Sequence, residues 1–187
     1  MNRHLWLCAF LLTTPRLYAQ TSSGDDRIEH ISACWRQIDS DSSLQKVKMS
    51  SKEFYGEETS AGAASMVGSF KRDSLCKIDV SVGMSYGILR EHYYFAGNQL
   101  LYVSETEDDF KDQAEKKDAV RSYEAQFYFD KDALIQKMAK GRRLMGQDDT
   151  HHYLELYHNG RYYAELLLKK YHSNTPSRPP APAVRTT

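Results

Sequence analysis

The chain is 187 residues long, with 25 Lys and Arg against 25 Asp and Glu. That length suits one domain plus terminal segments. The balance of charge, spread without long blocks, excludes the basic face that a nucleic-acid partner requires.

Residues 1–19 have the pattern of a secretory signal. Arg3 and His4 precede the apolar run Leu5 to Leu12, and Leu17-Tyr18-Ala19 resembles a small-residue cleavage site. The run is too short to span a bilayer, and no later stretch is apolar enough to do so. The expected location is therefore the periplasm or the extracellular space, with no transmembrane segment after cleavage.

A helix is predicted over 24–40. Ile28, Ile31, Trp35 and Ile38 recur on one face, and Asp25 and Asp26 suit the positive N-terminal end. Cys34 lies beside that face. With the signal removed, Cys34 and Cys76 are the two remaining cysteines, and an oxidising compartment favours a disulfide between them. Such a bridge would contribute about 4 kcal/mol through loop closure. Residues 44–55 read as a strand, and 56–64 as a loop rich in small residues.

From Ser69 onward the chain reads as a series of strands. Phe70-Lys-Arg-Asp-Ser-Leu75, Phe95-Ala-Gly-Asn-Gln-Leu100 and Phe129-Asp-Lys-Asp-Ala-Leu134 each place an aromatic and a leucine five apart around turn-forming residues. This predicts three similar hairpins, each built on a type I turn. Alternation puts Cys76, Ile78, Val80 and Val82 on one side of a strand. It likewise sets Tyr123, Ala125, Phe127 and Phe129 against Glu124, Gln126 and Tyr128. Residues 107–117, dense in charge, read as an exposed loop or short helix. Over 148–172, Asn159-Gly160 signals a turn, yet Tyr153, Leu156, Tyr157, Tyr163, Leu167, Leu168 and Tyr171 gather at helical pitch, and a helix is predicted. The proline-bearing tail from 173 to 187 is expected to be disordered. The expected fold is α+β: an antiparallel meander of six or seven strands covered by N- and C-terminal helices, in one domain over 24–172.

Glu91-His-Tyr-Tyr-Phe95 followed by Leu100-Leu-Tyr-Val103, echoed by Phe127-Tyr-Phe129 and Leu134-Ile135, resembles a family of small exported bacterial proteins of uncharacterised function. The family pattern usually carries Gly near the end of each turn, where this chain has Asn98 and Asp132. The resemblance implies the same meander and terminal helix and carries over no catalytic residue.

Candidate chemistry is sparse. His151, Glu155 and His158, at i, i+4 and i+7, are the candidate metal ligands, but the general-base Glu of H-E-x-x-H is missing and the three lie on the polar side of the wheel. Asp79, Glu91 and Glu124 could supply a carboxylate pair for hydrolysis if they met on the polar sheet face. There is no phosphate-cradling loop or nucleophile elbow, and no cofactor is expected. Tyr94, Tyr102 and Tyr128 are the candidate binding residues, as aromatics on a sheet face. The function expected from these features is an exported, non-catalytic module binding a protein or a glycan. The alternatives are a metal-dependent or carboxylate-based hydrolase, and an inhibitor or envelope stress protein.

Overall fold

The computed structural model describes residues 24–56, 64–112, 117–144 and 150–174. Residues 1–23, which hold the expected signal, and those beyond 174, expected to form a disordered tail, lie outside the described residues. The elements are α1 (Gly24–Ser40), β1 (Gln45–Ser50), α2 (Ser51–Tyr55), β2 (Ala64–Lys71), β3 (Ser74–Gly83), β4 (Gly87–Ala96), β5 (Gln99–Asp112), β6 (Lys117–Asp130), β7 (Ala133–Gly141) and α3 (His152–Asn174). The seven strands form one antiparallel sheet in the order of the chain, so the expected α+β meander is the observed fold.

Three hairpins share one geometry. Phe70 pairs with Leu75, Phe95 with Leu100 and Phe129 with Leu134. Each loop is two residues long, rather than the expected type I turn. Arg72, Gly97 and Lys131, the first residue of each loop, all have positive φ, and Asp132 has it as well. Lys131-Asp132 therefore has the positive φ at both central residues that a type I′ turn requires, which matches strand twist better than type I. One residue beyond each leucine the register slips. Ser69 pairs with Lys77, Tyr94 with Tyr102 and Tyr128 with Gln136. Cys76, Leu101 and Ile135 are the extra residues of three bulges, each in the returning strand.

The α3 side of the sheet holds the larger core, with Met66, Phe70, Ile78, Val80, Tyr93, Phe95, Leu100, Val103, Phe127 and Phe129 packed against Leu156, Tyr163, Leu167 and Tyr171. Gly160 faces this core rather than turning the chain. A Cβ there would lie 2.8 Å from the Tyr93 ring, so glycine is what lets the helix approach. On the other side, α1 sets Ile31 and Trp35 against Tyr94, Tyr102 and Tyr128. Trp35 stacks on Tyr102 at 5.3 Å between centroids.

Three further expectations are corrected. The strand over 44–55 ends at Ser50, whose N–H donates to the Glu53 carboxylate at 2.8 Å and opens the single turn of α2. The charged segment over 107–117 extends β5 and β6 as one long hairpin, with Glu107, Asp108 and Phe110 buried, while residues 113–116 lie outside the described set. Cys34 and Cys76 are free thiols. Cys76 occupies a bulge, off the simple alternation, with its thiol 3.6 Å from the Ser74 carbonyl. The Cys34 thiol sits 3.8 Å from His30 Nε2.

Candidate functional site

Two polar assemblies stand out, one on each face of the sheet. The first is buried. Alternation along β5 from Val103 carries Glu105 and Glu107 to the α3 side, and Glu91 on β4 stands opposite Glu105 in the register. Glu105 and Glu107 are 0% and 1% exposed, Glu91 6%. An unpaired carboxylate in such surroundings is costly, and the chain supplies partners from segments distant in sequence. His152, the first residue of α3, places Nε2 2.7 Å from Glu105 Oε2 and Nδ1 3.3 Å from Glu155 Oε2. With a carboxylate at each ring nitrogen, the doubly protonated imidazolium fits, donating on both sides. Arg143 Nη2 donates to Glu105 at 3.0 Å, and its Nε stands 3.4 Å from Glu107. The Leu144 N–H also donates to Glu107.

Glu91 is left with a neutral partner, the Tyr93 hydroxyl, which donates to it at 2.7 Å. Burial raises the Glu91 carboxyl to about 7, the Tyr93 hydrogen bond opposing and the Glu105 charge adding to the shift. For His152, burial disfavours the cation, but the hydrogen bond and charge of Glu105 outweigh it and the net shift is upward. Burial also raises the Tyr93 and Tyr163 phenols, with the Glu91 charge adding to both. The cluster therefore holds two carboxylates against two cations, plus a fifth group, Glu91, poised between its protonated and ionised forms near neutrality. A buried carboxyl raised to about 7 beside an imidazole whose proton is held by a carboxylate marks a functional candidate.

The second assembly is open. Beyond the tyrosine row, the pairing registers line up two polar rows on the α1 side. One runs Asp79, His92, Ser104, Gln126, Met138; the next runs Ser81, Arg90, Thr106, Glu124, Lys140. Arg90 is 37% exposed at its side chain and Met138 42% overall, while Glu124 and Lys140 are also exposed. His92 Nδ1 lies 2.6 Å from Asp79 Oδ1. Asp108 is held between Arg90 and Arg121, and both arginines lower its carboxyl despite partial burial. A shallow recess of about 220 Å³ opens among Glu124, Gln126, Met138 and Lys140.

The residues singled out from sequence fall as follows. Tyr94, Tyr102 and Tyr128 come together, but beneath α1 at 3–4% exposure, so they form a packed layer and not an open face. Burial raises the Tyr94 and Tyr102 phenols above their ordinary value. His151, just before α3, and Glu155 and His158 on it are all exposed, and among the described residues no group of three His, Cys, Asp or Glu side chains is placed to hold a metal. Glu155 instead faces the neighbouring His152. Asp79 and Glu124 lie on the α1 side, and Glu91 on the other, so the three carboxylates do not meet. Glu105, Glu107, Arg143 and His152 were missed. The alternation of Val103, Glu105 and Glu107 was a signal for their shared face; their burial was not legible without Arg143 and α3. Comparisons with family models, with curated proteins and with solved structures find no match. Among the described residues no helix is long and apolar enough to cross a membrane.

Proposed function

We propose that this chain is an exported, non-catalytic module that binds a protein partner through the uncovered part of its α1-side sheet face. The observation that carries this reading is the pair of polar rows, part-exposed on five adjacent strands, of which β3 to β6 pack their opposite face under α3. A rigid sheet presents such side chains in fixed positions, which lowers the ordering cost of association. The glycan reading loses support because its stacking platform, the three tyrosines, is buried under α1. Mixed charge, hydroxyls and an exposed methionine suit the surface of another protein better. Export is supported by the charged start and apolar run of residues 1–19 and belongs to the same proposal.

The test is site-specific photo-crosslinking in the producing cell, with the probe at Thr106 on the open face or at Lys169 on the outer side of α3. The expected result is a discrete adduct from Thr106 alone. The protein identified in it should bind the purified module, with affinity falling at least about tenfold, near 1.4 kcal/mol, for Thr106→Arg. Equal adducts from both positions, or unchanged affinity for the variant, would refute the assignment.

A carboxylate-based hydrolase is the second reading, favoured by Glu91 holding its proton to about pH 7 beside Glu105. It requires a path from solvent to Glu91. Turnover of a glycoside or ester panel that is abolished by Glu91→Gln in a folded protein would establish it.

A further inference from the structure

We infer that Glu91, Glu105, Glu107, Arg143 and His152 form a proton-operated latch, fastening the start of α3 and the chain after β7 to the sheet in mild acid and loosening them in mild alkali. The geometry supplies the argument. The start of α3 and the segment just after β7 reach β5 through named polar contacts: His152 to Glu105, Arg143 to Glu105 and Glu107, and the Leu144 N–H to Glu107. Three buried carboxylates face two basic groups.

With Glu91 protonated and His152 charged, two negative groups meet two positive ones. With Glu91 ionised and His152 neutral, three carboxylates are left facing Arg143 alone, a like-charge arrangement that a dry interior penalises. The remaining titratable groups around the cluster do not offset that change. Tyr93 on β4 donates to Glu91. Tyr163 on α3 and Tyr55 on α2 have phenols raised chiefly by burial. Tyr123 on β6 shares the face, and Glu155 on α3, 71% exposed, touches His152 from the solvent side. On β3, the residue opposite Glu91 is the apolar Val80.

Both titrations act in the same direction. Glu91 is raised from 4.5 to about 7, so the folded chain keeps a proton that the unfolded chain releases. Its neutral form is tolerated in full at low pH, and stability falls as pH climbs from 4.5 and levels off above about 7. His152 is raised from 6.5, so its ion pair contributes fully below that value and is lost as pH rises through the folded value. The latch is tightest where Glu91 is neutral and His152 charged, and weakest on the alkaline side of neutrality. Its location confines the effect to the first turns of α3, since the last turns are held by Leu167, Tyr171 and the Lys170 contact to the Lys48 carbonyl.

The experiment is amide hydrogen exchange on the full chain between about pH 5.5 and pH 8.5, corrected for the intrinsic rate at each pH. The expected result is a loss of protection of at least about tenfold over residues 155–160, the first amides bonded within the helix, the change that one unit of pKa shift supports, with a clearly smaller change over 166–171. Glu91→Gln should shrink that loss. Tyr93→Phe removes the hydrogen bond that favours ionised Glu91, so the midpoint should move to higher pH. A loss spread evenly along α3, no loss at all, or a Glu91→Gln profile matching the parent would overturn the latch. Should Glu91→Gln fail to fold, carboxyl-carbon NMR of the unaltered protein decides the matter: titration of Glu91 in the ordinary carboxylate range would equally overturn it.

Discussion

The two faces of the sheet are sealed in different ways. On the α3 side, a helix of 23 residues closes a broad apolar core and, at its first turn, a buried cluster in which Arg143 and His152 pair with Glu105. On the α1 side, a 17-residue helix covers a single strip of tyrosines and leaves polar rows beside it. The α3 face derives its stability from volume and from the buried ion pairs of Glu105. The α1 face derives it from a few aromatic contacts and from ion pairs at the rim, Arg27–Asp130 at one end of the helix and Lys77–Asp39 at the other. Under the proposed function, the α3 face would carry stability and the open part of the α1 face recognition.

The sharpest way to break this contrast is at Glu105. Glu105→Ala should cost about 3–5 kcal/mol, because it strands Arg143 and His152 in the interior. Urea denaturation measures it, and a loss below about 1 kcal/mol would mean that the cluster is not sealed. Leu167→Ala, in the same core at 0% exposure, should cost about 2–5 kcal/mol. Trp35→Ala on the other face should cost less, about 2–3 kcal/mol, since Trp35 is only half-buried. Thermal unfolding with near-ultraviolet circular dichroism would rank the two, and a larger loss for Trp35→Ala would reverse the division of labour.

Gly160→Ala gains roughly 1 kcal/mol of helix propensity but presses a methyl group onto Tyr93. Overpacking of about 1–3 kcal/mol should win, so the melting point falls, and a rise would show that α3 can move away freely. The smallest effect belongs to the rim: Arg27→Ala should change stability by at most about 1 kcal/mol and lose even that in high salt.

Much of the fold was legible from periodicity. The bounds of α1, the alternation of β3 and β6 and the amphipathic stripe of α3 all follow from side-chain spacing. What eluded it depends on partners far along the chain. Glu107 and Asp108 look like surface residues until Arg143, Arg90 and Arg121 are brought beside them. Alternation assigned Tyr94, Tyr102 and Tyr128 to a face, but it carries no information on what lies over that face. The Cys34–Cys76 pairing failed on position along α1: Cys34 lines a recess with Ala96, Gln99, Leu101 and Asp130, whereas Cys76 adjoins Lys77, which pairs with Asp39 at the end of the helix. The local signal Ser50-x-x-Glu53 was present and went unused, and it marks where β1 stops.

Because the strand order follows the chain order, each strand pairs only with its immediate predecessor and successor. Such local wiring shortens the loops that must close during folding and favours rapid assembly for a β-rich chain. The long-distance closures fall to the two helices: Arg27 on α1 reaches Asp130 across 103 positions, while on α3 Lys170 reaches the Lys48 carbonyl across 122 and Tyr171 the Arg72 carbonyl across 99. During synthesis the hairpins can therefore zip in succession while their apolar side stays bare until the final segment emerges. A chain cut before His152 would carry a finished but unroofed sheet, and its expected fate is aggregation rather than a smaller folded protein.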